Sequence, residues 1–150
     1  MHPPKAQLLD FCRAYVQQRI DTAQAAIVMA QASARDETKS SAGDKYETGR
    51  AMMQLEVEKN MTQLAEAKKL SQVLEQVHGG ITPGAIRPGS VVTTSNGNFF
   101  LAISAGQCTI DGVTYWLISP GTPIGMKMMG MKEGDSFTVN QRSYQILQVQ

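Results

Sequence analysis

The chain has 150 residues, with 14 basic against 13 acidic side chains, two cysteines and two histidines. That length allows one domain with a sound core, or a small domain with a helical appendage. A net charge of +1 gives no electrostatic drive toward nonspecific nucleic-acid or membrane binding, so any nucleic-acid role has to run through a partner or a local site.

The opening Met1-His2-Pro3-Pro4-Lys5 lacks the basic start and apolar run of a signal peptide, and no stretch approaches the ~20 apolar residues of a membrane span. A cytoplasmic protein is expected. Cys12 and Cys108 have no metal-type spacing and read as free thiols in the core. His2 is terminal and His78 stands beside Gly79-Gly80 near a helix end, where histidine serves more often as a dipole partner than as a catalyst. A histidine relay or a histidine metal site therefore has little to draw on.

From about Gln7 to Arg35 the apolar positions Leu9, Cys12, Val16, Ile20, Ala23, Ile27, Ala30 and Ala34 recur every three or four residues, which is a one-sided helical stripe. A second stripe, Met53, Val57, Met61, Leu64, Ala67 or Lys68, Leu70, Leu74 and Val77, runs from about Asp44 to a stop at Gly79-Gly80. Each helix would be roughly 30 residues and about 45 Å long. Neither buries so narrow a stripe alone, so an antiparallel coiled-coil hairpin over residues 1–80 is the economical arrangement.

The connection Asp36-Glu37-Thr38-Lys39-Ser40-Ser41-Ala42-Gly43 is polar and small, as an exposed turn should be. The hairpin's tip, near residues 36–47, thus carries four acids: Asp36, Glu37, Asp44 and Glu47. Asp44 and Glu47, spaced i, i+3 at a helix start, fall on one face and can reach a common cation. The same spacing also fits an N-cap at Asp44 with Glu47 closing a capping box. Likewise, the long hairpin suits insertion into a partner but equally suits a spacer or dimerisation arm with solvated tip charges.

Two prolines and two glycines fall between Ile81 and Gly89, which reads as an interdomain linker. Beyond it, Ser90 to Thr94, Asn98 to Ser104, Gln107 to Ile110 and Val113 to Ser119 read as short strands, with Asn96-Gly97 and Asp111-Gly112 as hairpin turns. Ser119-Pro120-Gly121-Thr122-Pro123 breaks this meander. Ile124 to Met131 reads as a short methionine-faced helix, and Ser136 to Val139 and Ser143 to Val149 as two closing strands. The fold class is α+β: a helical hairpin followed, over residues 90–150, by a small antiparallel sheet covered by a short helix. There is no nucleophile elbow, P-loop or dinucleotide fingerprint.

In this order and at these lengths the two halves resemble the bacterial Gre transcript-cleavage factors, over nearly the whole chain. Ile118-Ser119-Pro120, Gly130-Met131-Lys132-Glu133-Gly134-Asp135 and Tyr144-Gln145-Ile146-Leu147-Gln148-Val149 look like that family's C-terminal signature, and Gly43-Asp44-Lys45-Tyr46-Glu47 like its Gly-Asp-x-x-Glu tip. The resemblance implies an FKBP-like C-terminal domain docked at the rim of the RNA polymerase secondary channel, with the hairpin in the pore. Asp44 and Glu47 would then help hold a second Mg²⁺ in the polymerase active site, against backtracked RNA. The chain would be a stimulator of the polymerase's own cleavage rather than a free-standing enzyme, meeting RNA and DNA only through the polymerase.

The sequence departs from the family after the glutamate. Thr48-Gly49-Arg50-Ala51 stands where Asn-Ala-Glu-Tyr is usual, the tip connection is longer, and the hairpin's lysines are scattered. Arg50 brings a cation one turn from the carboxylates. These departures keep open a regulator that occupies the same channel without promoting cleavage. A helical-hairpin adaptor unrelated to polymerase is a further alternative. Prolyl isomerase activity ranks last, because few aromatic residues are there to line its pocket.

Overall fold

The computed structural model describes the backbone of residues 4–40, 44–77 and 83–150, and the side chains of residues 4–35, 48–77 and 83–150. Helix α1 spans Lys5–Ser40 and α2 spans Asp44–Glu75. Pro4 precedes α1, where its missing N–H costs nothing, and its carbonyl accepts the Leu8 N–H at 2.9 Å. α1 passes the expected end at Arg35 and takes in Asp36 to Ser40, because those residues are polar but include no helix breaker. The expected eight-residue connection thus contracts to residues 41–43, which lie outside the described residues, as do His78, Gly79 and Gly80. α2 ends in a tightened turn, with the N–H groups of Gln76 and Val77 donating three residues back to Val73 and Leu74.

The chain divides into two compact units. One comprises residues 15–71, the other residues 1–14 together with residues 72–150. In the first, the helices run antiparallel: one hollow is lined by Tyr15 to Ala23 of α1 and Gln63 to Leu70 of α2, and a second by Gln31 to Arg35 and Arg50 to Val57. Residues ascend along one helix as they descend along the other. Buried positions fall seven apart, at Ala23 and Ala30 on α1 and Asn60 and Ala67 on α2. A seven-residue repeat is the period that keeps one seam facing a partner helix. Met61, expected in the seam, is 51% exposed, and Asn60 is buried in its place. The Asn60 amide donates to the Glu56 carbonyl at 2.9 Å and to Glu56 Oε1 at 3.3 Å, so its burial leaves the donor satisfied.

The second unit is built on a six-stranded sheet. The strands are β1 (Val91–Thr94), β2 (Gly97–Leu101), β3 (Gly106–Ile110), β4 (Val113–Ile118), β5 (Ser136–Val139) and β6 (Arg142–Val149), with α3 (Pro123–Met128) between β4 and β5. Their order is β3-β4-β2-β1-β6-β5. The expectation of a wholly antiparallel sheet is corrected here, since β2 and β4 pair in parallel and the sheet is mixed. The β3–β4 hairpin, closed by Asp111 and Gly112 with φ of 52° and 79°, places β4 beside β2 and β3 outside it. β2 and β3, consecutive in sequence, are therefore separated in the sheet by β4. A bulge at Thr93/Thr94 leaves Leu147 unpaired and 53% exposed.

One face of the sheet carries Val92, Phe99, Leu101, Phe137, Tyr144 and Ile146, closed over by Met128 of α3. Tyr144 stacks on Phe137 with ring centres 5.0 Å apart. Ile86, expected within a linker, is 2% exposed in this core; its N–H donates to the Met131 carbonyl and its carbonyl accepts from Gly130. The opposite face bears buried Val91, Phe100 and Leu117. The same unit contains the buried helical residues Leu8, Leu9, Cys12, Leu74 and Val77.

The segment from Gly130 to Asp135 contains residues that hold the fold. Gly130 and Gly134 take φ of 82° and 91°, which favours glycine, and Asp135 Oδ2 accepts the Lys132 N–H at 2.9 Å. Glu133 Oε1 accepts the Val149 N–H, and the Ser119 carbonyl accepts the hydroxyl of Thr122, the N-cap of α3. Among the described residues no helix is long and apolar enough to cross a membrane.

Candidate functional site at the helical turn

Asp44 opens α2 and Glu47 follows one turn later, so the backbone places both at the helix N-terminus, on the i, i+3 spacing read from the sequence. Asp36 and Glu37 belong to the last turns of α1 rather than to a loop. The side chains of all four acids lie outside the described residues. A helix N-terminus carries partial positive charge and favours carboxylates there, whether as caps or as ligands. Hard carboxylate oxygens suit Mg²⁺, which demands near-octahedral oxygen coordination, and two such residues leave most of that shell to a partner.

Among the described side chains nearest this turn, Thr48 and Arg50 are exposed and Gly49 is half-buried. Arg35 and Arg50 line opposite sides of a hollow of about 390 Å³, floored by Ala34, Met53 and Val57. On each helix a guanidinium thus adjoins the acids in sequence, Arg35 just before Asp36 and Arg50 three residues after Glu47, and a guanidinium can fork onto a carboxylate or phosphate. The significance of Arg35 was not read from the sequence, because its place across from Arg50 depends on the register of two helices and leaves no local pattern.

Toward the other end of the same unit, Arg19 lies over the Tyr15 ring at 4.7 Å from its centre, the geometry of a cation–π contact. Among the described residues, no group of three or more His, Cys, Asp and Glu gathers as a metal centre would require. Both thiols are free. Burial, and then the nearby Cys108, push the Cys12 thiol up to about 11. Lys5, at the start of α1, is 1% exposed, which no pattern in the sequence marks; burial, and then Arg87, hold its ammonium below the usual lysine range.

No protein-family model, curated protein or solved structure matches this chain.

Proposed function

We propose that this chain is an RNA polymerase-binding elongation factor of Gre type, working in the cytoplasm, whose helical tip enters the secondary channel. There it promotes cleavage of backtracked RNA. The observation that carries the reading is the pair of long antiparallel helices, with Asp44 and Glu47 in the first turn of α2. A narrow pair of helices ending in two carboxylates is a means of delivering ligands into another protein's metal centre. Several of the signature-like residues, Gly130, Glu133, Gly134, Asp135, Tyr144 and Ile146 among them, have a definite part in holding the sheet unit, which supports the reading. In this reading the FKBP-like unit docks at the channel rim and Asp44 and Glu47 contribute oxygens toward a Mg²⁺ shared with the polymerase. When bound, that ion would orient and activate water for phosphodiester hydrolysis. The factor is then no enzyme by itself.

The arrangement of Arg35 and Arg50 favours a second reading, in which the same insertion regulates the polymerase without cleavage. Two guanidiniums close to the acids offer them ion pairs in competition with a metal. The deciding experiment adds the protein to backtracked elongation complexes of its host polymerase with Mg²⁺ and follows release of short 3′ RNA fragments. Cleavage by the wild type, lost in Asp44→Ala, Glu47→Ala with polymerase binding retained, is the expected result. Binding by both proteins with cleavage by neither selects the second reading. Absence of binding overturns both.

A further inference from the structure

The outer edge of β5 offers a binding surface distinct from the helical turn. β5 is the last strand of the sheet order, so among the described residues one of its sides has no partner strand. Asn140 and Gln141 link it to β6 with φ of 51° and 68°, a two-residue turn whose flanking pair, Val139 and Arg142, exchanges hydrogen bonds. Hydrogen-bonded pairs alternate along an antiparallel ladder, so Phe137 and Tyr144 form the next one. The Gly134 N–H donating to the Ile146 carbonyl and the Ile146 N–H donating to the Asp135 carbonyl continue that alternation. The backbone N–H and C=O groups of Ser136 and Thr138 therefore face outward, away from β6.

Beside that edge lies a hollow of about 470 Å³, lined by Pro123, Met126 and Lys127 from α3 and Thr138, Val139 and Asn140 from β5 and its turn. Pro123, Met126 and Lys127 share the α3 face left over once Met128 turns into the core. Met126 is 64% exposed and conformationally adaptable, fit to close over an apolar side chain. The charged residue among those lining the hollow is Lys127. Arg142 stands across from Val139, and both cations are exposed. The two acids just before β5 are turned to backbone amides, Asp135 onto Lys132 and Glu133 onto Val149.

We propose that this edge binds an extended, acidic peptide segment of another protein. The segment adds a strand to β5 through Ser136 and Thr138, sets one apolar side chain in the hollow against Met126, and places a carboxylate at Lys127. Main-chain bonds supply affinity in such strand addition, and the side-chain pocket supplies selectivity. The cationic rim argues against a second copy of this chain as the occupant, since antiparallel pairing of two β5 edges would bring Lys127 and Arg142 of both copies together. The inference is independent of what the helical turn does.

The test uses the full chain, ¹⁵N-labelled, with a capped hexapeptide alternating glutamate and valine and a matched peptide with lysine in place of glutamate. Binding of the acidic peptide should shift the Ser136 and Thr138 amide resonances and slow their hydrogen exchange. It should weaken roughly tenfold in Lys127→Glu and be lost in Thr138→Pro, a change an edge strand tolerates because that N–H lies outside the ladder. Equal binding of the lysine peptide, binding that leaves these two amides unmoved, or no binding of either peptide would overturn the proposal. So would sedimentation showing a dimer that protects the same amides without peptide.

Discussion

At Gly125, in the short helix α3, a single hydrogen decides the packing. A Cβ built there would collide with the Ser119 carbonyl oxygen and stand 2.8 Å from Thr122 Oγ1, which itself accepts the Gly125 N–H. Gly125→Ala should therefore cost roughly 1–3 kcal/mol as the helix start is forced away, read as a lowered urea midpoint at unchanged slope. Thr122→Ala removes the cap and should cost about 1 kcal/mol. The thiol of Cys12 makes a prediction of opposite kind. Its proton is released near 9.0 in the unfolded chain and near 11 in the folded one, chiefly because of burial. Between those values the unfolded chain sheds the proton first, so stability is full below pH 9 and falls as pH rises toward 11, by on the order of 2 kcal/mol. Cys12→Ala should flatten that part of the urea-midpoint profile, whatever its offset at neutral pH.

Among the elements, the helices and strands follow the patterns that foretold them, and the exceptions are instructive. The Asp111-Gly112 turn signal and the alternation around it placed β3 and β4 almost to the residue. No local pattern encodes that β4 pairs with β2 in parallel, because that depends on how a hairpin swings back onto the sheet. Asn60 escaped notice because a polar residue at a seam position looks like a break in the stripe, and adjacent Met61 looked the better core residue. A buried asparagine lowers stability while fixing register. Asn60→Leu should accordingly raise the thermal midpoint by several degrees for about 1 kcal/mol gained, and sedimentation should show more self-association, as an apolar seam tolerates more partners. The candidate site was legible only as a motif. Its spacing could be read along the chain, whereas the facing of Arg35 and Arg50 emerges only from the pairing of α1 with α2.

For the molecule as a whole, the two units carry separate chemistries. Residues 15–71 hold the acids and the guanidiniums near them, and the sheet unit holds the open β5 edge. Changes at Asp44 and Glu47 should leave peptide binding at β5 intact, and Lys127→Glu should leave the helical seam intact; parallel cleavage and peptide titrations on both variants check this. The sheet unit also joins distant parts of the chain, because Val92 pairs with Val149 and the first fourteen residues belong with residues 72–150. During synthesis on the ribosome, then, α1 and α2 emerge before the sheet, and the buried Leu8, Leu9 and Cys12 precede most of the unit they belong to. The nascent chain passes through an interval with these apolar groups in an unfinished unit. Mutations that slow closure of β1 on β6 would be felt first as dependence on chaperones and only afterwards as lost stability.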